Sequence, residues 1–121
     1  MIIPNNLKLF RRNCLQKIET FNPKGLPRIC AVDCGLKYNQ IRCLVDRGAR
    51  VDLVPWNHDF INDEFDGLFL SNGPGDPTMC PETIKNISKF YGSNRFKPVF
   101  GICLGHQLSA VAAGCKTYKL K

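Results

Sequence analysis

The chain has 121 residues, of which 44% are hydrophobic and 22% are charged, and this composition suits one globular domain with a modest core. Its 10 Gly and 8 Pro are too few for a collagen-like or low-complexity chain, and no apolar run approaches the roughly 18 residues of a membrane span. We therefore expect a folded, soluble protein with no membrane partner.

The formal net charge of +7 is concentrated at the two ends of the chain. Residues 1–28 contain six Lys or Arg and one Glu, and residues 116–121 contain three Lys and no acid. The part between them has eight basic and nine acidic residues. A basic surface for phosphates would have to be built from the ends alone, without interleaved Arg and aromatic residues. We expect no nucleic-acid partner.

Residues 1–27 differ from the rest of the chain and predict a basic N-terminal extension and linker. Apolar residues recur at three- and four-residue steps over residues 6–21, which favours an amphipathic helix. Residues 22–27 are rich in Pro and Gly and are typical of a linker. We expect the extension to pack weakly or to be mobile. We assign a cytoplasmic location, and a mitochondrial one is the alternative that a basic N-terminus leaves open.

The second predicted unit, residues 28–121, alternates strands and helices. The strands are expected at 28–33, 51–54, 67–70 and 98–102, and the helices at 36–47, 81–91 and 104–113. Strands without clean alternation, separated by helices, indicate an α/β fold with a three-layer parallel sheet covered on both faces. Such sheets bind ligands beyond the carboxyl ends of their strands, which directs attention to loops 34–37, 71–77 and 101–105.

The seven cysteines, with no secretory signal before them, indicate a reducing compartment. Cys30 and Cys34 have a spacing that could suit a metal pair, but no His or second Cys pair lies near them. Since a strand places both on one face, we interpret them as buried apolar side chains and predict no metal site.

The strongest chemical signal is the segment 101–105, a glycine-x-nucleophile-x-glycine turn between a strand and a helix, with Cys103 at its centre. A nucleophile on this elbow has a strained backbone, and the positions two residues away must be small so that strand and helix can approach. The N–H groups of a helix N-terminus also stabilise a thiolate. The alternative is a buried Cys in an ordinary turn.

The loop 71–77 presents Gly73 and Gly75 after a strand. It lacks the Gly-Lys-Ser or Gly-Lys-Thr ending of a nucleotide P-loop. It suits an oxyanion hole better, in which this loop gives one N–H donor and Leu104 gives the other.

A base for Cys103 is hard to find in the sequence. Of the two histidines, His106 follows on the same helix, away from the direction in which an elbow aims its nucleophile, and His58 lies in a polar loop without any signal. No acidic residue follows Cys103. A triad with its base downstream is therefore incomplete.

At these motifs, residues 28–121 resemble the glutamine amidotransferase domain of carbamoyl phosphate synthetase, a class I, or triad-type, amidotransferase with a flavodoxin-like fold. The segment 101–107 is typical of the wider class, whereas segments 33–40 and 70–77 resemble the carbamoyl phosphate synthetase branch. The resemblance leaves the first 27 residues unexplained.

The resemblance implies that Cys103 attacks the side-chain amide of glutamine, forms a glutamyl thioester and releases ammonia. Gly73 and Leu104 would form the oxyanion hole, and Gly75 and Gln107 would contact glutamine. The ammonia would pass to a synthetase subunit or fused domain, and only that partner would need ATP and magnesium. Because the ammonia-dependent mitochondrial relative of land vertebrates has its nucleophile replaced, Cys103 favours the glutamine-using form of pyrimidine or arginine synthesis.

The family's catalytic His and Glu lie beyond the position of Lys121, and 27 residues cannot supply its separate N-terminal domain. We therefore expect the N-terminal half of an amidotransferase domain, incomplete in its C-terminal half and inactive alone. The alternatives are a non-catalytic module that docks on a synthetase partner and a different elbow-type cysteine hydrolase.

Overall fold

The computed structural model describes residues 17–73 and 80–116, and this part of the chain forms a five-stranded sheet with three helices. The strands are β1 (Glu19–Phe21), β2 (Arg28–Asp33), β3 (Arg50–Pro55), β4 (Gly67–Leu70) and β5 (Val99–Gly101). The helices are α1 (Tyr38–Asp46), α2 (Pro81–Tyr91) and α3 (Leu104–Ala112).

The sheet has the strand order β1-β3-β2-β4-β5. Strand β2 pairs in parallel with β3 and β4, and β4 pairs in parallel with β5, as the alternation of strands and helices predicts. Strand β1 pairs with β3 in the antiparallel direction, so the sheet is mixed rather than wholly parallel. The α/β class is confirmed, with one antiparallel strand added at its edge.

Each face of the sheet has its own hydrophobic core, because successive side chains of a strand point to opposite faces. One core joins Val32 and Leu70 of the sheet to Ile87 of α2 and Leu108 of α3. The other joins Ala31, Leu53 and Phe69 to Ile41 of α1. Helices on both faces therefore give the predicted three layers. None of the described helices is long and apolar enough to cross a bilayer.

The segment before β2 departs from the prediction. The predicted helix over residues 6–21 is wrong at its end, where Glu19–Phe21 form β1, and its residues 6–16 lie outside the described part of the chain. Residues 19–27 are attached to the sheet by the pairing of β1 with β3 and by further hydrogen bonds, although most of their side chains are exposed. Asn22 Nδ2 donates to the Ala49 carbonyl at 3.0 Å, and Leu26 N donates to the Gly48 carbonyl at 2.9 Å. These bonds tie the segment to the start of β3.

The two cysteines at strand β2 are buried, with 2% of Cys30 and none of Cys34 exposed, and both belong to the core under α2 and α3. Burial raises the pKa of the Cys30 thiol to about 12. The interpretation of these cysteines as apolar core residues is confirmed.

Candidate active site

Two of the predicted loops leave the sheet from neighbouring strands. Residues 71–73 follow β4 and residues 102–103 follow β5, and these two strands pair in parallel. The Ile102 N–H donates to the Leu70 carbonyl at 3.0 Å, which continues the pairing one step beyond β5. Since parallel strands end at the same edge, the Gly73 loop and the Cys103 turn lie side by side.

Cys103 occupies the strained turn that the sequence predicts. Its φ is 51° and its ψ is −110°, a backbone conformation that residues other than Gly rarely adopt. It precedes α3 directly, and its side chain is exposed. The alternative of a buried Cys in an ordinary turn is therefore wrong.

The glycines on either side of Cys103 allow strand and helix to touch. A Cβ atom on Gly101 would lie 2.6 Å from the Gly105 carbonyl carbon and the His106 nitrogen. A Cβ atom on Gly105 would overlap the Leu70 carbonyl oxygen. Both contacts are with backbone, which cannot move aside as a side chain can, so the predicted need for small residues holds at both positions.

Gly73 is packed between the turn after β2 and the start of α3. A Cβ atom on it would overlap the Cys34 carbonyl oxygen and lie 3.1 Å from Leu104 Cδ2. The side chain of Leu104 is thus in contact range of the Gly73 loop, and Leu104 is the first residue of α3. The two residues predicted as oxyanion donors are therefore brought together.

The turn after β2 is held by side chains whose role the sequence analysis missed. Asp33 Oδ1 accepts hydrogen bonds from the Gly35 and Leu36 N–H groups, both at 2.9 Å, and Gly35 has a φ of 113°. An Asp two residues before a Gly is a recognisable signal for this kind of turn. Ser71 Oγ accepts a hydrogen bond from the Cys34 N–H at 2.8 Å, which joins the turn to the Gly73 loop. That second contact spans 37 residues and has no local signal.

Of the other predicted site residues, Gln107 is exposed on α3, and its N–H donates to the Cys103 carbonyl at 3.0 Å. Gly75 lies outside the described residues. His106 is exposed on α3, whereas His58 Nε2 is hydrogen bonded to Asp63 Oδ2 at 2.7 Å in the loop after β3. Within the described ranges, no three His, Cys, Asp or Glu side chains are grouped to hold a metal ion.

The arrangement at this edge suits a nucleophilic attack on a carbonyl group. An exposed thiol lies on a strained turn at a helix N-terminus, and the loop beside it contains Gly73, a position with no room for a side chain. The Asn72 Oδ1 atom is buried there and has no hydrogen-bond partner among the described residues. Thiol nucleophiles and backbone N–H donors in this relation are the parts of acyl-transfer sites.

Comparison with known proteins identifies the class. The family model described as "Glutamine amidotransferase class-I" matches residues 30–121, and the chain belongs to this family. The crystal structure of a putative GMP synthase subunit from Thermoplasma acidophilum is similar, with a TM-score of 0.61 and 29% sequence identity over 72% of this chain and 45% of that one.

Individual relatives come from larger proteins. The chain is 52% identical over 118 residues to the multifunctional protein CAD of Squalus acanthias, covering 98% of this chain and 5% of the relative. It is 48% identical over 119 residues to the mitochondrial carbamoyl-phosphate synthase [ammonia] of Aquarana catesbeiana, covering 98% of this chain and 8% of the relative. The similarity therefore extends into the first 27 residues, which the motifs alone leave unexplained.

Proposed function

We propose that this chain is the glutamine-hydrolysing part of a carbamoyl phosphate synthetase, with Cys103 as its nucleophile. The observation that carries the proposal is the strained, exposed Cys103 beside the Gly73 loop, at the end of two paired parallel strands. Membership of the class I amidotransferase family supports the choice of a carboxamide substrate. The 48% identity to a carbamoyl-phosphate synthase supports the branch, although the name of that relative gives ammonia and not glutamine. The choice of the glutamine-hydrolysing form therefore rests on Cys103.

In this proposal the Cys103 thiolate adds to the side-chain carbonyl carbon of glutamine, and the carbonyl electrons move onto oxygen. The N–H groups of Gly73 and Leu104 donate to that oxyanion. Gly75 and Gln107 contact the substrate. The carbon–nitrogen bond then breaks, the nitrogen takes a proton and leaves as ammonia, and the glutamyl thioester remains until water cleaves it to glutamate and the free thiol.

The protonation step limits what this chain does alone. A positioned acid contributes about 10²–10⁴ in rate, and a leaving amine needs one. His58 is engaged by Asp63, and His106 follows the nucleophile on the exposed side of α3. We assign neither as the acid. The 121-residue chain is therefore expected to react at Cys103 without turning over glutamine.

The ammonia released would be used by a synthetase subunit or fused domain, which would also hold the ATP and magnesium. The chain spans only 5% and 8% of its two large relatives, so the rest of such a protein is the natural candidate for this partner. The location assigned is cytoplasmic. Import into mitochondria is the alternative, and the mitochondrial relative is the observation in its favour.

The test combines labelling of Cys103 with an ammonia assay. A variant with Ser at Cys14, Cys43 and Cys115 keeps Cys103 as its exposed thiol, and a matched variant keeps Cys43 of α1 instead. We expect iodoacetamide to alkylate Cys103 at least about tenfold faster than Cys43, because an elbow at a helix N-terminus activates a thiol. No ammonia from glutamine is expected.

Two results would change the proposal. Equal alkylation of Cys103 and Cys43 would overturn the assignment of the nucleophile. Ammonia release that disappears on Cys103→Ser would confirm the nucleophile but refute the expected inactivity, and His106 or His58 would then have to supply the acid.

A further inference from the structure

Ser71 is a fully buried residue that links three parts of the site. It follows β4 directly, none of its surface is exposed, and its N–H donates to the Val32 carbonyl at 3.2 Å. Its Oγ accepts from the Cys34 N–H at 2.8 Å and donates to the Asn72 carbonyl at 3.0 Å. A hydroxyl that accepts from a fixed N–H has its proton directed elsewhere, and here that proton points to Asn72.

The carbonyl that Ser71 holds belongs to the same peptide unit as the Gly73 N–H. A peptide unit is planar, so the carbonyl and the N–H rotate together. The one cis peptide bond among the described residues is Leu26–Pro27, which makes the Asn72–Gly73 bond trans. In a trans peptide the N–H points opposite to the carbonyl. Fixing the Asn72 oxygen therefore fixes the direction in which the Gly73 N–H points.

We propose that Ser71 is a positioning residue for a donor to the oxyanion. Its hydroxyl accepts from the Cys34 N–H and donates to the Asn72 carbonyl, and it thereby orients the Gly73 N–H of the same peptide unit. The inference rests on the proposed function, because it takes the Gly73 N–H as a donor to the reacting carbonyl. Ser71 itself touches neither substrate nor nucleophile in this scheme.

Two further features fit this role. A hydrogen bond to a peptide carbonyl polarises the peptide and strengthens its N–H as a donor. Ser71 also lies against the elbow, because a Cβ atom on Gly105 would lie 2.7 Å from the Ser71 carbonyl oxygen. Ser71, which orients the Gly73 N–H, is therefore packed against α3. The first N–H of that helix, that of Leu104, is the other proposed donor.

The test uses acyl transfer that needs no acid. The p-nitrophenyl γ-ester of glutamate reacts as the thiolate forms a bond to the ester carbonyl carbon and the carbon–oxygen bond breaks, releasing p-nitrophenolate with its electron pair. The release of p-nitrophenolate is followed in the variant with Ser at Cys14, Cys43 and Cys115, which serves as the parent chain. The rate of the same variant with Cys103→Ser is subtracted. We expect one p-nitrophenolate per chain.

In Ser71→Ala, the maximal rate of this burst is expected to fall about tenfold or more, since a lost oxyanion donor costs about 10²–10³ and a misdirected one less. The half-saturating ester concentration is expected to stay within about twofold. Alkylation by iodoacetamide, which passes through no oxyanion, is also expected to stay within about twofold.

Thr83→Val is the matched control. Thr83 is likewise fully buried, and its Oγ1 donates to the Trp56 carbonyl at 2.7 Å, on α2 and outside the site. Its burst rate should equal that of the parent chain. An equal loss in Thr83→Val, or slower alkylation in Ser71→Ala, would show a general structural effect and overturn the positioning role.

The remaining outcomes separate the two proposals. A parent chain without a burst overturns the proposed function and this inference with it. A parent burst that is unchanged in Ser71→Ala overturns the inference alone. If Ser71→Ala does not fold by circular dichroism, Ser71→Cys replaces the hydroxyl with a somewhat larger thiol that is a weaker donor. A burst at the parent rate in that variant overturns the inference.

Discussion

Gly105 is the residue at which the requirement for a small side chain is most direct. It lies in the first turn of α3, where the helix crosses the end of β4, and a side chain there would meet the carbonyl groups of Leu70 and Ser71. The Ile102 N–H also donates to that Leu70 carbonyl. A larger residue would therefore push α3 away from the strand end that aligns the two loops.

Gly105→Ala is expected to lower the free energy of unfolding by about 1–3 kcal/mol, because the added methyl group overlaps backbone atoms. Gly92→Ala is the matched control. A Cβ atom on Gly92, after α2, would be 3.6 Å from its nearest neighbour, and its φ is −81°. That change should leave stability equal or raise it by up to about 1 kcal/mol. Urea unfolding of both variants measures the difference, and equal midpoints would contradict the expectation.

At the scale of the elements, Asp52 fastens the antiparallel edge strand to the parallel part of the sheet. It lies on β3, and its Oδ1 accepts from Thr20 Oγ1 of β1 at 2.9 Å. Its Oδ2 accepts from Arg28 Nε of β2 at 2.8 Å. Arg50 Nε, on β3 itself, donates to Oδ1 at 3.1 Å. One nearly buried carboxylate thus binds side chains from three strands.

The same contacts set the charge state of Asp52. Burial alone would raise the pKa of its carboxyl, but hydrogen bonds from Arg28, Thr20 and Arg50 outweigh burial and hold that pKa below its usual range. A carboxyl with a lowered folded-state pKa stabilises the fold above its unfolded value, which is about 3.9. That stabilisation is lost as the pH falls through the folded-state value.

Asp52→Asn is therefore expected to unfold at a lower temperature than the parent at pH 7, with a loss of about 1–3 kcal/mol from the unpaired donors. Its melting temperature should fall less steeply than that of the parent as the pH is lowered from 5 to 3. Asp59→Asn removes a more exposed carboxylate, which is paired with Lys89 at 2.6 Å. It should have a smaller effect on the melting temperature, both at pH 7 and at low pH. Parallel pH curves for Asp52→Asn and the parent would count against the role of this network.

At the scale of the whole molecule, the two faces of the sheet are covered unequally. On the side of α1, a groove of about 260 Å³ is lined by apolar residues of β2, β4 and β5 and their neighbours: Ile29, Leu44, Gly67, Leu68, Phe69, Pro98 and Phe100. The Phe100 ring stacks on Phe69 and is still 63% exposed. Strand β5 is one of the two edge strands of the described sheet. An apolar groove along a sheet edge favours association of the chain with other surfaces.

Phe100→Ser is accordingly expected to weaken self-association of the purified chain about tenfold, because it removes a large exposed ring from the groove. Sedimentation velocity over a range of protein concentrations measures this. Phe96→Ser serves as control, since Phe96 is 93% exposed but does not line the groove. Equal effects of the two changes would show that general surface hydrophobicity, and not the groove, drives association.

Local signals account for what the sequence predicts well. Strand β4 and helix α2 have the predicted bounds, and α2 begins with Pro81 and Glu82 and ends before Gly92, which are strong helix boundaries. Strand β1 could not be predicted in the same way. Its three residues share the spacing of a helix stripe, and what makes them a strand is pairing with β3, some 30 residues away.

The candidate site shows the same division. The elbow at Cys103 is local, since the two glycines and the strain belong to five consecutive residues, and the sequence predicts it. The proposed role of Ser71 depends on its hydrogen bond from the Cys34 N–H, and only the parallel pairing of β2 and β4 brings Cys34 near Ser71. Roles that depend on such pairing are visible only in the folded chain.

The buried thiols supply the chain with natural reporters of its own assembly. Cys30 lies in β2, Cys34 in the turn after it and Cys80 directly before α2, and all three are at most 2% exposed. During refolding each becomes inaccessible to a pulse of alkylating reagent when its own element docks. The time courses of the three thiols would therefore show whether the sheet centre closes before α2 covers it, without any introduced probe. A parallel sheet whose strands meet across long loops is expected to close slowly, which places these events within reach of rapid-mixing experiments.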